Sequence, residues 1–473
     1  MIAVVDVFAG PGGLNEGFGS ARSAHGEPIF DVVGSFEMEP NAVATLTLRA
    51  ALRSLPQGTS FTPYRDLLRG RCSLDDLRRD PSMAVALERA GAHVHQIELG
   101  PAHRQGVRDR IATSLRGSRD WVLIGGPPCQ AYSLVGRARR SHDPLFSEDK
   151  KHFLYREYLD IIKGHRPAVF VMENVKGLLS AGHGQHSMFD LIQEDLRDEG
   201  RYEVRSLVVG CDQPTPGDFV IESERYGIPQ RRHRVILLGI RRDLAGQTVT
   251  PLSPRREVTV RAAIGSLPRV RSLVSRASQR ESDWEQALAL GAGQGHLDRE
   301  RWGRANSATQ APVLKNMPTE LRSWIEAGGP PISQHEPRSH MPSDLARYAY
   351  LATMAEWGWS PRVDELPNGL QPEHRNLAHA STPFVDRFKV QTWDRPSSTI
   401  ASHISKDGHY YIHPDPSQMR SLTVREAARL QTFPDDYYFC GSRTMQYHQV
   451  GNAVPPFLAH QIAMKVAELL GEG

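Results

Sequence analysis

Cysteine is scarce in this chain: four in 473 residues, at positions 72, 129, 211 and 440, with no Cys-x-x-Cys pair. That spacing argues against a zinc site and a disulfide framework, and points to a reducing cytoplasm. Long apolar runs are missing too; none approaches the ~20 residues needed to cross a bilayer, so no membrane contact is expected. The opening residues, Met1 to Asp6, lack the basic segment and cleavage pattern of a secretory signal. Nor is there an excess of one charge. A net charge of +3 does not mark a nucleic-acid partner by itself, so the local placement of arginine carries that question. The hydrophobic content of 39% and charged content of 23% fit a soluble globular protein, and the length allows two or three domains.

What is present is organised around Gly125-Gly126-Pro127-Pro128-Cys129-Gln130-Ala131-Tyr132-Ser133. The apolar run Trp121 to Ile124 before it reads as a buried strand, which two glycines and two prolines then stop in a tight loop. A lone cysteine is more often a small buried residue than a nucleophile. Here it sits on a stiff turn at the carboxyl end of a strand, where α/β sheets do their chemistry, and the same chain supplies a cofactor-type loop, an acid and two arginines.

The amino-terminal half alternates strand and helix. Residues 2–9 read as a first central strand, broken by Gly10-Pro11-Gly12-Gly13, with a helix from Leu14 to about Ala24. Strand, glycine turn and helix start make a nucleotide-type binding unit. A second strand, Asp31 to Phe36, ends at Glu37, an acid placed to bond the two hydroxyls of a ribose; Met38 can lie against an adenine ring. Asn41 to about Leu55 reads as the next helix, and a strand is expected near His95–Leu99. His93, His95 and His103 lack acidic or thiol partners at ligand spacing and read as surface or loop histidines. Further on, His152 to Lys163 is amphipathic and helical. Ala168 to Met172 is a buried strand followed by Glu173-Asn174-Val175, and a carboxyl group at a strand end can hold or donate a proton. Asp190 to Asp198 reads as a helix and Tyr202 to Val209 as a strand. Gln230-Arg231-Arg232-His233-Arg234 leads into the strand Val235–Ile240, and alternation puts Arg232 and Arg234 on one face.

Pro128-Cys129-Gln130, with Phe8-Ala9-Gly10-Pro11-Gly12-Gly13, Phe36-Glu37, Glu173-Asn174-Val175 and the Gln-x-Arg-x-Arg pattern at 230–234, resembles the DNA cytosine-5 methyltransferases. The resemblance covers roughly residues 1–240 and 390–470. It implies an α/β, Rossmann-like fold of the S-adenosylmethionine-dependent type, with a mostly parallel sheet and a smaller irregular target-recognition domain. The catalytic domain would span 1–242, target recognition 243–388, and 389–473 would return to the catalytic domain. The cofactor implied is S-adenosyl-L-methionine. Phe8, Ala9, Gly10, Gly12, Gly13 and Leu14 would form the loop for its methionine part, and Glu37 and Met38 would meet the ribose and adenine. Glu98 would reach the adenine amino group, with Asp66 as its rival. Pro127, Leu154, Asn452 and Ala453 would complete the pocket.

The same resemblance assigns Cys129 as nucleophile, Glu173 as the partner of the base, and Arg232 and Arg234 as arginines reaching the catalytic pocket. DNA contacts fall to Gln130, Ser133, Arg137, Arg139 and Gln230. The arginine-bearing segment after Cys129 looks like the mobile loop that closes over DNA, with its arginines meeting phosphates. The partners implied are double-stranded DNA, bound by a monomer, and a cognate restriction endonuclease encoded nearby in a bacterium. Two alternatives are a tRNA cytosine-5 methyltransferase of the same fold, whose Cys-Phe-Thr tripeptide is absent here, and a catalytically silent DNA-binding relative. Towards the carboxyl end, a hairpin is expected at Lys406-Asp407-Gly408. Thr423-Val424-Arg425-Glu426 forms a capping box, and Gly451 to Pro456 opens a last helix running to about Leu470.

Overall fold

A computed structural model describes residues 1–55, 61–128, 154–179, 182–183, 186–198, 201–211, 213–244, 246, 249–275, 317–327, 329, 332–372 and 387–472. β-Branched runs make its sheet. In chain order the strands are β1 (Ile2–Val7), β2 (Phe30–Glu37), β3 (Val94–Gln96), β4 (Val122–Gly125), β5 (Val169–Val175), β6 (Tyr202–Arg205), β7 (Val220–Glu222) and β8 (His233–Arg241). They lie in the order β3-β2-β1-β4-β5-β8-β6, with β7 also on β8. The first five are mutually parallel, and β8 runs antiparallel to its neighbours. The sheet is thus mostly parallel, as expected, and its order reverses at β1, where open α/β sheets place their ligands.

Register decides which residues meet. Val7 is level with Phe36 on one side and with Gly125 on the other, and Gly125 is level with Met172. The carboxyl ends of β1, β2, β4 and β5 therefore finish at one edge. The antiparallel β8 begins there, with Arg234 opposite Val175 and Ile236 opposite Glu173.

Both faces of the sheet are covered. Helix α1 (Gly13–Gly19) and the helix Pro456–Leu469 bury one face with Val4, Ile124, Val171 and Ile236. The helices Arg104–Leu115 and Leu154–His165 bury the other with Val5, Leu123, Phe170 and Leu237. The last helix approaches α1 closely: a Cβ on Gly17 would stand 2.4 Å from that of Ala459. Between β2 and β3 come α2 (Pro40–Ser54), capped by the Glu39 carboxylate, then α3 (Thr62–Leu68), α4 (Leu74–Arg79) and α5 (Pro81–Gly91). These share a core of Leu48, Tyr64, Leu67, Leu77 and Met83.

Several expectations need correction. α1 stops at Gly19, not near Ala24, because the chain turns at Ser20 towards the Arg22–Pro28 bridge. The hairpin at 406–408 is absent. Two short 3-10 turns, Ser402–Ser405 and His409–Tyr411, flank Gly408 at φ 78°, and Asp407 caps the second through the His409 N–H (3.0 Å). The strand expected over 202–209 ends at Arg205, where Ser206 turns its hydroxyl to the Val208 and Val209 amides. Ahead of the last helix stands a separate one, Arg443–Asn452, capped by Ser442. The Thr423 capping box is present and starts the helix Val424–Leu430.

The middle of the chain is described only in part. Leu252, Val258, Leu321 and Ile325 join the core beneath α1, while the helix Pro342–Glu356 forms a small core of its own with Leu366, Leu370 and Ile412. No helix among the described residues is long and apolar enough to cross a membrane.

Candidate active site

The glycine loop after β1 is held from three directions. Phe8 takes a left-handed φ of 55°, followed by Gly10 at 55° and Gly12 at 90°. Positive φ at a residue with a side chain is strained, and such residues cluster at functional sites. From β2, the Ala9 N–H reaches Phe36 O (3.2 Å) and the Gly10 N–H reaches Glu37 Oε2 (2.7 Å). From the carboxyl-terminal segment, the Tyr437 hydroxyl donates to Pro11 O, and a Cβ on Gly13 would strike Val454 O at 2.1 Å. Only glycine fits there.

The residues expected around S-adenosyl-L-methionine can be tested against this geometry. Glu37 sits at the end of β2, its second oxygen accepting the Met38 and Glu39 N–H groups, both at 2.9 Å. Three backbone donors thus fix its orientation and leave lone pairs for hydroxyl donors. Met38 is 58% exposed, an apolar side chain with nothing to cover it. Among the described residues Gly10 has no atom within 4 Å of where a Cβ would stand, so they leave open space on that side of the loop. Beneath the loop Asp6 is fully buried, and neither carboxyl oxygen has a hydrogen-bond partner among the described residues. Burial pushes its pKa well above the usual carboxylate range; the Asn15 amide and the charge of Arg53 oppose this, and the charge of Glu37 adds to it. An open glycine loop, an oriented acid and an orphaned polar group fit a ligand with hydroxyl and amino donors.

Other expected contacts fare differently. Ala453 is buried, its carbonyl accepting from Gln431 Nε2 (3.2 Å). Asn452 is exposed at the end of its helix, beside His448. Glu98 lies exposed just past β3, its backbone carbonyl facing His103. The rival Asp66 is on α3, paired with Arg69 and Arg71. Leu154 begins its helix, half-buried.

The second half of the site lies at the ends of β4 and β5. A Cβ on Gly126 would stand 2.7 Å from Glu173 Oε2, so the loop after β4 passes directly over that carboxylate. The Asn174 amide donates to Pro127 O (3.2 Å) and anchors the loop. Arg234 Nε stands 2.8 Å from Glu173 Oε1, both side chains largely buried. Burial lowers the Arg234 pKa, and the Glu173 charge opposes that shift. Cys129, Gln130, Ser133, Arg137 and Arg139 lie outside the described residues.

The other members of the 230–234 pattern hydrogen-bond away from the Glu173–Arg234 pair, although Arg232 stays close enough to feel both charges. Arg232 is 3% exposed and donates to Ile400 O (2.8 Å) and Gly451 O (3.2 Å), tying the sheet to the carboxyl-terminal segment. Burial and the neighbouring Arg234 push its pKa down to about 9. Gln230, expected on DNA, is fully buried; it donates to Leu430 O and Gln431 and accepts from the Ile400 N–H (2.6 Å). A side chain with no exposed surface cannot meet a duplex, so that assignment is corrected.

Sequence reasoning missed Asp6 and Tyr437. An acid inside the run Ile-Ala-Val-Val-Asp-Val is an anomaly that could have flagged the first; nothing local distinguishes the second. Among the described residues no cluster of three or more His, Cys, Asp or Glu could hold a metal.

Comparison with known proteins agrees with this layout. The family model for C-5 cytosine-specific DNA methylases matches residues 107–468. A Type II methyltransferase of Bacillus paralicheniformis is 34% identical, over 99% of both chains. One of Thalassovita gelatinovora is 28% identical over 73% of this chain and 83% of its own. Among solved structures, a prophage-encoded Escherichia coli protein described as a DNA modification methyltransferase superposes over 100% of both chains, with a TM-score of 0.56 at 20% identity.

Proposed function

The chain belongs to the C-5 cytosine-specific DNA methylase family, and from that premise we propose that it methylates C5 of a flipped-out cytosine in a specific duplex sequence, with S-adenosyl-L-methionine as donor and a transient Cys129–C6 bond. The observation that carries this reading is the Glu173–Arg234 pair beneath Gly126, at the root of the loop that leads to Cys129.

When bound, S-adenosyl-L-methionine supplies a methyl group made electrophilic by its sulfonium charge. Glu37 would hold its ribose hydroxyls, Met38 its adenine, and the Phe8–Leu14 loop its methionine end, with Pro127, Leu154 and Ala453 nearby. The chain's own residues do the rest. Cytosine C5 is a poor nucleophile until C6 gains a fourth substituent. The Cys129 thiolate gives its electron pair to C6, and the ring charge moves towards N3, where Glu173 shares a proton. Arg234 holds that carboxyl in place and favours anions in the pocket. Once C5 carries its new substituent, transfer of the C5 proton to solvent water returns electrons to the C5–C6 bond and expels the Cys129 sulfur as thiolate. Because C6 is stacked inside a duplex, the base has to swing out, at a cost of roughly a few kcal/mol. Arg137 and Arg139 would meet the phosphates of the opened strand.

The Type II relatives support a place in bacterial restriction–modification; to it we add a monomer acting on DNA in the cytoplasm, with a cognate endonuclease as counterpart. Bisulfite sequencing of DNA from cells expressing the chain tests the reading. Cytosines in one sequence context should resist conversion, and Cys129→Ser should abolish the resistance. Protection that survives in the Cys129→Ser strain would remove the covalent mechanism.

A further inference from the structure

On the far side of α1 from the glycine loop lies a cavity of about 760 Å³. Phe30, Val32 and Ser35 of β2 contribute to it, with α1, α2 and the inserted helices α3 and α5 around them. Met1, Pro28 and Asp31 place its mouth at the amino end of the strands, opposite Glu37. It is a separate site from the one described above.

Its charges do not balance. Arg22, Arg49, Arg53, Arg65 and Arg89 line it, against the carboxylates Asp31 and Asp436, with Glu16 just behind. Arg65 has an interaction of its own, and Arg49 and Arg53 are accounted for. Both reach Glu16 (2.7 and 2.5 Å), and Arg49 also reaches Asp436 (2.9 Å). Arg22 is different: half-buried, among the described residues it donates to the carbonyls of Gly19 (2.9 Å) and Ala21 (3.0 Å) and to no carboxylate. Burial and then the charge of Arg53 lower its pKa, and the Glu16 carboxylate behind the wall only partly opposes them. Arg89, on the rim, is exposed. Asp31, the remaining acid, is exposed too. Guanidiniums withdrawn from water are ordinarily paired with an anion, and their planar fork suits phosphate.

The rest of the lining mixes the polar Asn15, Ser35, Ser54 and His93 with an apolar wall. Phe61, which caps α3, with Tyr64 and Leu68 of that helix, lines the cavity together with Phe30 and Leu52. A parallel crossover from β2 to β3 needs one helix, which α2 already provides. The helices α3 to α5 pack on α2 and, through α5, on β3, and they also supply this wall. A concave apolar chamber with a few convergent charged groups is how small-ligand sites are built.

We propose that this cavity binds a small organic phosphate of about mononucleotide size, with the phosphate at Arg22 and Arg89 and the apolar body against Phe61 and Tyr64. The proposal is independent of the methyl-transfer reading and should hold equally for the Cys129→Ser chain.

The test is calorimetric titration of the full chain with adenosine 5′-monophosphate and, separately, adenosine. Both runs are done in saturating S-adenosyl-L-homocysteine, to keep nucleotides out of the cofactor pocket. The expected result is saturable binding of the monophosphate, with adenosine weaker by roughly tenfold or more, the contribution of a charge-assisted contact. Arg22→Leu should weaken the monophosphate by a similar factor while leaving S-adenosyl-L-homocysteine affinity unchanged. Arg89→Leu, at an exposed position that cannot threaten folding, should weaken it as well. Absence of saturable binding, equal affinity for adenosine, or affinity indifferent to Arg89→Leu would each overturn the proposal.

Discussion

Arg234 Nε and Glu173 Oε1 stand 2.8 Å apart across two antiparallel strands. Their backbones are offset by two residues in register, so the side chains meet diagonally on one face of the sheet. That offset is the minimum machinery the proposed chemistry needs: an acid held at the ring by a cation that cannot drift. Replacing Arg234 with Met keeps the bulk and removes the cation. The single-turnover methylation rate should fall by roughly 10²- to 10³-fold, the usual cost of losing one preorganised donor. A rate equal to the parent's would dismiss Arg234 from the mechanism.

Gly126 offers a steric test of the same carboxylate. In Gly126→Ala the new methyl would occupy space 2.7 Å from Glu173 Oε2, so either the loop or the glutamate has to shift. A displacement of this kind can cost roughly 100-fold in rate without unfolding the chain. Gly100→Ala is the control, since nothing lies within 4 Å of its Cβ position. Rapid-quench methylation and thermal melting of both variants would check this, and equal rates for the two would count against the geometry.

Glu37→Gln places an amide where three backbone N–H groups now point at a carboxylate. At least one donor would then face another donor. We expect affinity for S-adenosyl-L-methionine to drop by roughly tenfold or more, the range for an unsatisfied buried group, and DNA affinity to hold. Calorimetry with each ligand separates the two effects. An unchanged cofactor affinity would take Glu37 out of the pocket.

Stability should decline with mild acid, for a reason remote from the active site. Burial, helped by Arg338, keeps His340 neutral down to about 3, and burial with Arg420 does the same for His413. Their folded values lie below the unfolded value of about 6.5, so their contribution is complete above that pH. Below it the unfolded chain takes up protons that the folded chain refuses. Stability should therefore fall by roughly 1.4 kcal/mol per pH unit for each histidine, until the pH nears the folded values. Urea unfolding at a series of pH values from neutral to mildly acidic reads this slope, and His340→Gln should flatten it. An identical slope in that variant would refute the assignment.

How much of this was legible in the sequence depended on range. Local signals spoke clearly: the β-branched runs gave the strands, Thr423 with Glu426 marked a helix start, and Glu37 ends its strand as read, whereas Glu173 lies inside a strand that continues to Val175. Arg234 reached the acid because strand alternation and register agree. Alternation could not say where Arg232 and Gln230 look. Their partners, Ile400, Gly451, Leu430 and Gln431, come from about 170 to 220 residues later. The hairpin at 406–408 failed for a similar reason. The Lys-Asp-Gly turn was real, but Asp407 spends its carboxylate capping a 3-10 turn and pairing with Arg387, and neither flank forms a ladder. The inserted helices α3 to α5 carry no motif, so their cavity could not be read from sequence at all.

The hydroxyl of Tyr437 rests on the carbonyl of Pro11, 426 positions earlier, and Gly13 is pressed against Val454. During synthesis the first strands leave the ribosome long before those clamps exist, and such distant pairings form slowly. A nascent chain can therefore lay down most of its sheet while its donor pocket remains without a wall. Competence to modify DNA arrives only with the last few dozen residues, so a chain cut short before them is inert rather than indiscriminate.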